Sequence, residues 1–393
     1  MSLRSRAAGL AGTALALCAP TPAGAADWSL SGFFSQALSL DAESGETGDD
    51  AGDDVALRST TDVGARIGAQ TKRTSWLLAP GVRGTLSTDS EDDNSVLPRF
   101  NGSVRHVAPR GVFTASLGVV PDFVDETEFD GIGTTERNLI QVSVSGAMGY
   151  THSIDPRQTL SFGLNGAART FLDDPETLDE TQSVGTSLGW GVALTPRTDG
   201  SLTASARYFR SDDRTSATGQ TFSLVAGVDH AANRRLSVSF SAGPSYTRST
   251  QDDPLVGGGF AERTEDSFGV VGSAGLSYAA DPRTDFALAF EQSVDQDAEG
   301  EIENRSSLGL NISHRIDSVS RVGLGASVGV RTAISGDADD TQTFSLGPSY
   351  AIDLTDDWSL TAGYRFRTSN DDDGVEYQNS FRISVSRGFD FLQ

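Results

Sequence analysis

The chain has 393 residues, with 54 aspartates and glutamates against 30 lysines and arginines, a net charge of −24, four histidines and one cysteine. An acidic excess of this size repels nucleic acid, and a lone cysteine rules out a disulfide framework and a Cys-ligated metal centre. Mean hydropathy is slightly negative, as in a polar sandwich or in a barrel whose wet interior cancels its apolar belt, so periodicity has to separate the two.

The first segment, MSLRSRAAGLAGTALALCAPTPAGAADW, places Arg4 and Arg6 ahead of an apolar run from Ala7 to Leu17 and an Ala23-Gly24-Ala25 cleavage site. It is predicted to be a secretory signal, residues 1–25, whose removal leaves 26–393 as a single domain without cysteine. Read as a membrane anchor, the run falls short of the roughly 20 residues that a spanning helix needs. Read as a lipoprotein signal, it has the large Leu17 directly before Cys18.

No later stretch is long and apolar enough for a transmembrane helix. Two kinds of connection alternate instead. Short turns, most bearing Pro or Arg, begin at Thr71, Ala108, Asp155, Thr195, Ala231, Asp281, Asp317 and Leu354; longer acidic segments lie between them, such as DAESGETGDDAGDD from Asp41, PDFVDETEFDGIG from Pro121 and NDDDG from Asn370. The runs that join them have a period of two. Val142, Val144, Met148 and Tyr150 oppose Gln141, Ser143 and Ser145; Leu236, Val238, Phe240 and Tyr246 oppose Ser237, Ser239, Ser241 and Ser245; Phe344, Leu346, Tyr350 and Ile352 oppose Thr343, Ser345 and Ser349.

The pattern predicts an all-β chain: a single transmembrane up-and-down antiparallel β-barrel of about 18 strands, with short periplasmic turns and long acidic extracellular loops. An even count puts both termini at the periplasmic end. The irregular stretch from Trp76 to Val119 leaves sixteen strands as the alternative. A β-sandwich could use the same two-faced strands, but a closed barrel also explains the strict alternation of turns and loops and leaves no edge for lipid to meet.

The last hairpin, DWSLTAGYRFRTSNDDDGVEYQNSFRISVSRGFDF from Asp357 to Phe391, carries the pattern most clearly. From Leu354 it reads as an aromatic-Arg strand, an acidic tip and an Asn-Ser-aromatic-Arg strand. It resembles the proteobacterial outer-membrane β-barrel porins of the kind often associated with exopolysaccharide export, and the likeness extends loosely over the hairpins from about Tyr150 onward. The resemblance implies a C-terminal strand read by the barrel-insertion machinery. Phe381, Ile383, Val385, Phe389 and Phe391 match its alternating apolar face, while Leu392 and Gln393 displace the usual terminal aromatic.

If the apolar face meets lipid, the other lines a lumen. Arg66, Arg83, Arg105, Arg169, Arg207, Arg331, Arg365, Arg367 and Arg382 all fall on the Ser/Gly/Thr face, with Arg365 and Arg382 expected nearly opposite one another. Fixed cations in a narrow wet pore favour anions; the alternative role for these guanidiniums is to pair with loop carboxylates and hold the barrel closed. The segment from Pro121 to Gly133 falls in the third outer loop, where an inward fold would set Glu126, Glu128 and Asp130 across a constriction from the arginines. The bland alternative is a solvated loop.

The acidic loops attract cations, but neither DDAGDD nor NDDDG has a complete calcium-loop spacing, so no metal site and no cofactor is expected. His106, His152, His230 and His314 all fall near the short-turn end of downward strands, and no nucleophile elbow, H-E-x-x-H or phosphate-cradling loop occurs, so no enzyme is expected. The leading expectation is a porin passing small hydrophilic solutes through a water-filled, Arg-bearing lumen. A conduit for exopolysaccharide export would want aromatic residues along the lumen, where only Phe33 and Phe209 fall, and a non-conducting surface barrel would need a plug. Expected partners are outer-membrane lipid and lipopolysaccharide, the insertion machinery and, for the export reading, periplasmic proteins.

Overall fold

The computed structural model describes residues 26–392 apart from segments 46–53, 89–93, 124–139, 172–179, 213–216, 255–259, 297–301, 335–339 and 372–373. The signal segment, 1–25, and the acidic trio Glu126, Glu128 and Asp130 lie outside the described residues. Eighteen strands and no helix make up the described chain. The first are β1 (Asp27–Gly45), β2 (Asp54–Gln70), β3 (Thr74–Ser87), β4 (Ser95–Ala108), β5 (Gly111–Phe123) and β6 (Ile140–Asp155). There follow β7 (Gln158–Phe171), β8 (Glu180–Thr195), β9 (Thr198–Asp212), β10 (Ala217–Ala231), β11 (Leu236–Pro254) and β12 (Phe260–Asp281). The last are β13 (Thr284–Gln296), β14 (Ile302–Arg315), β15 (Ser320–Ala333), β16 (Thr341–Asp353), β17 (Trp358–Asp371) and β18 (Gly374–Leu392). The sixteen-strand alternative falls, because the stretch from Trp76 to Val119 holds parts of β3, β4 and β5 in regular pairing.

Every strand pairs antiparallel with its sequence neighbours, and β1 also pairs with β18, so the sheet closes on itself without an edge. Closure comes with stagger. The paired row that starts from Trp28, near the short-turn end of β1, passes through Trp76 in β3 and Met148 in β6 and reaches Phe268 in β12 well toward the loop end. That climb is the strand tilt a barrel requires.

The distribution of burial is inverted relative to a water-soluble protein. Phe268 is 82 % exposed, Leu86 63 % and Phe240 61 %, whereas Thr247 is fully buried and Ser245 is 2 % exposed. Apolar side chains point outward because the strand period sends them there, and the small hydroxyl residues crowd the inside.

The short turns share one construction. Thr71, Asp155, Thr195, Asn233, Asp281, Asp317 and Thr355 each accept, on a side-chain oxygen, a hydrogen bond from the backbone N–H two residues on. Such Asx and hydroxyl turns satisfy the backbone where the chain reverses. The remaining turn, after Ala108, carries Pro109 instead, which fixes its φ. At the tip of the last hairpin Gly374 has φ 143°, a conformation open to glycine.

Candidate functional site

Parity assigns all nine sequence-predicted arginines to the inner face, the face that also carries the Ser205–Ser223, Ser327–Ser345 and Ser359–Ser386 hydroxyl pairs. They are not spread evenly. Arg66, Arg83, Arg105, Arg365, Arg367 and Arg382 fall on β2, β3, β4, β17 and β18, which with β1 are adjacent around the barrel. Two more inner arginines, Arg58 on β2 and Arg99 on β4, join the same sector. Arg169, Arg207 and Arg331 stand elsewhere on the wall, on β7, β9 and β15. Diametrically across, β10 and its neighbours present hydroxyls along the middle of the wall, with Thr221 3.2 Å from Thr247 and Ser241 2.9 Å from Ser273, and the carboxyls of Asp199 and Asp229 nearer the short turns.

Within the sector Asp62 is the anchor. It accepts from Arg99 Nη1 at 2.8 Å and Arg83 Nε at 3.2 Å. Charge-assisted bonds of this kind hold both guanidiniums against the wall. The Phe33 ring lies 5.0 Å from the Arg66 guanidinium and 5.1 Å from that of Arg99, within cation–π range of both. Gly64 and Gly81 make room for it, since a Cβ at either would come within 2.4 Å or 3.2 Å of its Cζ. A second tie lies at the loop end of β14 and β15, where Glu303, 2 % exposed, accepts from Arg305 Nε at 3.3 Å and Arg331 Nη1 at 3.5 Å.

Two of the predicted arginines, Arg83 and Arg331, are therefore paired with carboxylates, and these carboxylates belong to the wall rather than to a loop. Arg66, Arg105, Arg365 and Arg382 have no carboxylate partner among the described residues. Arg365 pairs with Ser380 and Arg382 with Gly363, so the two arginines are diagonal neighbours rather than directly opposed. Among the described residues, the inner-face aromatics are the expected Phe33 and Phe209 and also Phe171, which the sequence reading passed over.

Arg58, Asp62 and Arg99 had a sequence signal too. Arg58 and Asp62 precede Arg66 by even numbers of residues, and Arg99 stands in the same relation to Arg105, so each shares its face. The apolar residues Phe381, Ile383, Val385, Phe389 and Phe391 line the outer face of β18, beside the β1 seam. Arg387 shares that face, its guanidinium 5.0 Å from the Trp358 ring and 4.4 Å from that of Phe389. The four histidines also point outward, at the short-turn end. Among the described residues no three His, Cys, Asp or Glu side chains gather as metal ligands would.

No protein-family profile matches the chain, and no curated protein matches it in sequence. Solved structures similar to it include three from Pseudomonas aeruginosa. OpdL has a TM-score of 0.47 at 12 % identity, over 93 % of this chain and 99 % of that one. OpdQ has 0.49 at 11 %, over 92 % and 98 %, and OprD 0.49 at 13 %, over 93 % and 96 %.

Proposed function

We infer that the chain is an outer-membrane porin of a Gram-negative bacterium, exported by a cleaved signal at residues 1–25, that passes small hydrophilic solutes and favours anions. The observation that carries this reading is the arginine sector facing a hydroxyl wall inside a closed eighteen-stranded barrel with an exposed apolar outside. Barrels of this strand number leave an aqueous channel, and the described residues between β1 and β18 lie in strands or short turns of the wall, apart from Thr88, Asn94, Ile334 and Asp340 at strand ends. The channel does transport rather than catalysis. Selectivity falls to Arg66, Arg105, Arg365 and Arg382, whose charges are not cancelled by a described carboxylate, with Arg58, Arg169, Arg207 and Arg367 adding to the field. The outer face of β18, from Phe381 to Phe391, is the segment for the insertion machinery to read.

The test is single-channel recording of the refolded chain in a planar bilayer under a salt gradient, beside an Arg365→Ala, Arg382→Ala double variant. The expected result is steady conductance with an anion-selective reversal potential that moves toward zero in the variant. Cation selectivity in the parent chain would overturn the arginine assignment, and a folded, inserted barrel without conductance would overturn the pore.

A further inference from the structure

Among the described pairings, arginine stands directly across from arginine in two places, and both lie on β14 and β15. At the loop end Arg305 faces Arg331, and at the short-turn end Arg315 faces Arg321. The two pairs are ten residues apart on each strand, so parity puts all four side chains on the inner face, with Ser327. Parity also gives both pairs the same type. The backbone N–H of Ile316 bonds to the Ser320 carbonyl and that of Ile334 to the Ile302 carbonyl, so the even positions are the hydrogen-bonded ones between these strands. The arginines occupy the close, non-bonded positions, where Cα atoms are about 4.5 Å apart.

Like charges set directly opposite one another destabilise a sheet. The loop-end pair is relieved by Glu303, 2 % exposed, whose Oε2 accepts from Arg305 and whose Oε1 accepts from Arg331. The short-turn pair has no such bridge. Arg315 and Arg321 are exposed, and neither side chain makes an ion pair or a hydrogen bond among the described residues. A third arginine extends their row, because the Arg283 carbonyl accepts the Arg315 backbone N–H at 2.7 Å and so sets Arg283 across from Arg315 on the other side. Other turn arginines meet uncharged residues at this level, as Arg157 meets Ala193 and Arg197 meets Ala231. The nearby acids do not close the gap. Asp285 and Asp353 share the inner face one position away, across from Ser313 and Ser359, and form no ion pair among the described residues. The Asp317 carboxylate, which feels the Arg283 charge, is engaged by the backbone N–H groups of Val319 and Ser320. Arg283 Nη1 itself donates to the Ile316 carbonyl.

We propose that Arg315 and Arg321, with Arg283 beside them, form a binding site for a phosphate group at the short-turn mouth of the lumen. A tetrahedral dianion supplies from solution what Glu303 supplies at the other end of the same two strands, oxygens for two guanidiniums at once. Its second negative charge answers the third arginine. Guanidinium forks match phosphate oxygens in geometry as well as charge. The site is separate from the arginine sector, which spans β17, β18 and β1 to β4. It rests on the register of the barrel and not on conductance.

The refolded chain in a phosphate-free detergent tests it through the midpoint of the heat-dependent shift in gel mobility, measured in chloride, acetate and inorganic phosphate at equal ionic strength and mildly alkaline pH. A midpoint that rises with phosphate and saturates is expected, with acetate leaving it where chloride does. Arg321→Gln is expected to lose the rise while keeping at least the parent midpoint in chloride, because there it removes repulsion and breaks no bond. Should that variant fail to fold, Arg315→Gln carries the same expectation. The Arg365→Ala, Arg382→Ala variant is expected to keep the rise. No rise in the parent chain, an undiminished rise in the site variants, or an equal rise from acetate would each overturn the site. So would a chloride midpoint lowered by Arg321→Gln, which would tie that guanidinium into the wall, or loss of the rise in the Arg365→Ala, Arg382→Ala variant, which would move phosphate to the sector. A barrel that shows the expected rise but does not conduct would leave the site standing and overturn only the pore.

Discussion

Asp62 holds Arg83 and Arg99 through one carboxylate oxygen, so removing its charge frees two cations at once. Asp62→Asn is expected to strengthen anion preference, read as a larger reversal potential, while lowering stability by roughly 1–3 kcal/mol through lost charge-assisted bonds. Gly64 tests the other half of the cluster. A Cβ there would meet Phe33 Cζ at 2.4 Å and the Pro80 carbonyl at 2.5 Å; the ring can swing away but the backbone cannot, so Gly64→Ala is expected to cost about 1–3 kcal/mol in urea unfolding. The sequence showed which arginines face inward because parity alone decides that. Which of them are neutralised depends on the neighbouring strand's register, and Asp62 lies across from Arg83 only once β2 and β3 are paired.

At the scale of elements, the short turns were legible as Pro- and Arg-bearing punctuation, but their common hydrogen bond was not, because Thr, Asp and Asn serve it interchangeably. One of them has a pH signature. The Val319 backbone N–H, then Ser320, holds the Asp317 carboxyl below the ordinary aspartate range. A carboxylate with a lowered native value stabilises the fold above its ordinary value and loses that contribution as pH falls through the native one. Asp317→Asn is therefore expected to lower stability at neutral pH and to converge with the parent chain at acid pH, which flattens the acid side of a pH–stability profile, as followed by the heat-dependent shift in gel mobility of the folded barrel. A steep acid limb retained by the variant would show that other carboxylates govern it.

For the whole molecule, alternation of turns and loops gave the barrel and its strand number, since eight turns and the segments between them leave little freedom. Its lopsided interior was not legible, because strands at opposite ends of the chain become neighbours only through the β1–β18 seam. That seam brings Arg382 from the last hairpin into one row with Arg58 near the start, with Ser39 between them, and Arg365 into the row next along the inner face. A sector built this way acts across the lumen only as far as salt permits, about 10 Å at 0.1 M and about 3 Å at 1 M. Anion preference is therefore expected to be strong in dilute salt and to shrink at molar salt, where ions pass beyond reach of the arginines along the hydroxyl wall. Reversal potentials measured at a constant concentration ratio from low to high salt test this directly. A preference that holds at 1 M would mean that anions contact the guanidiniums on their way through, which places the narrowest part of the route against the Phe33–Arg66–Arg99 cluster rather than along the opposite wall.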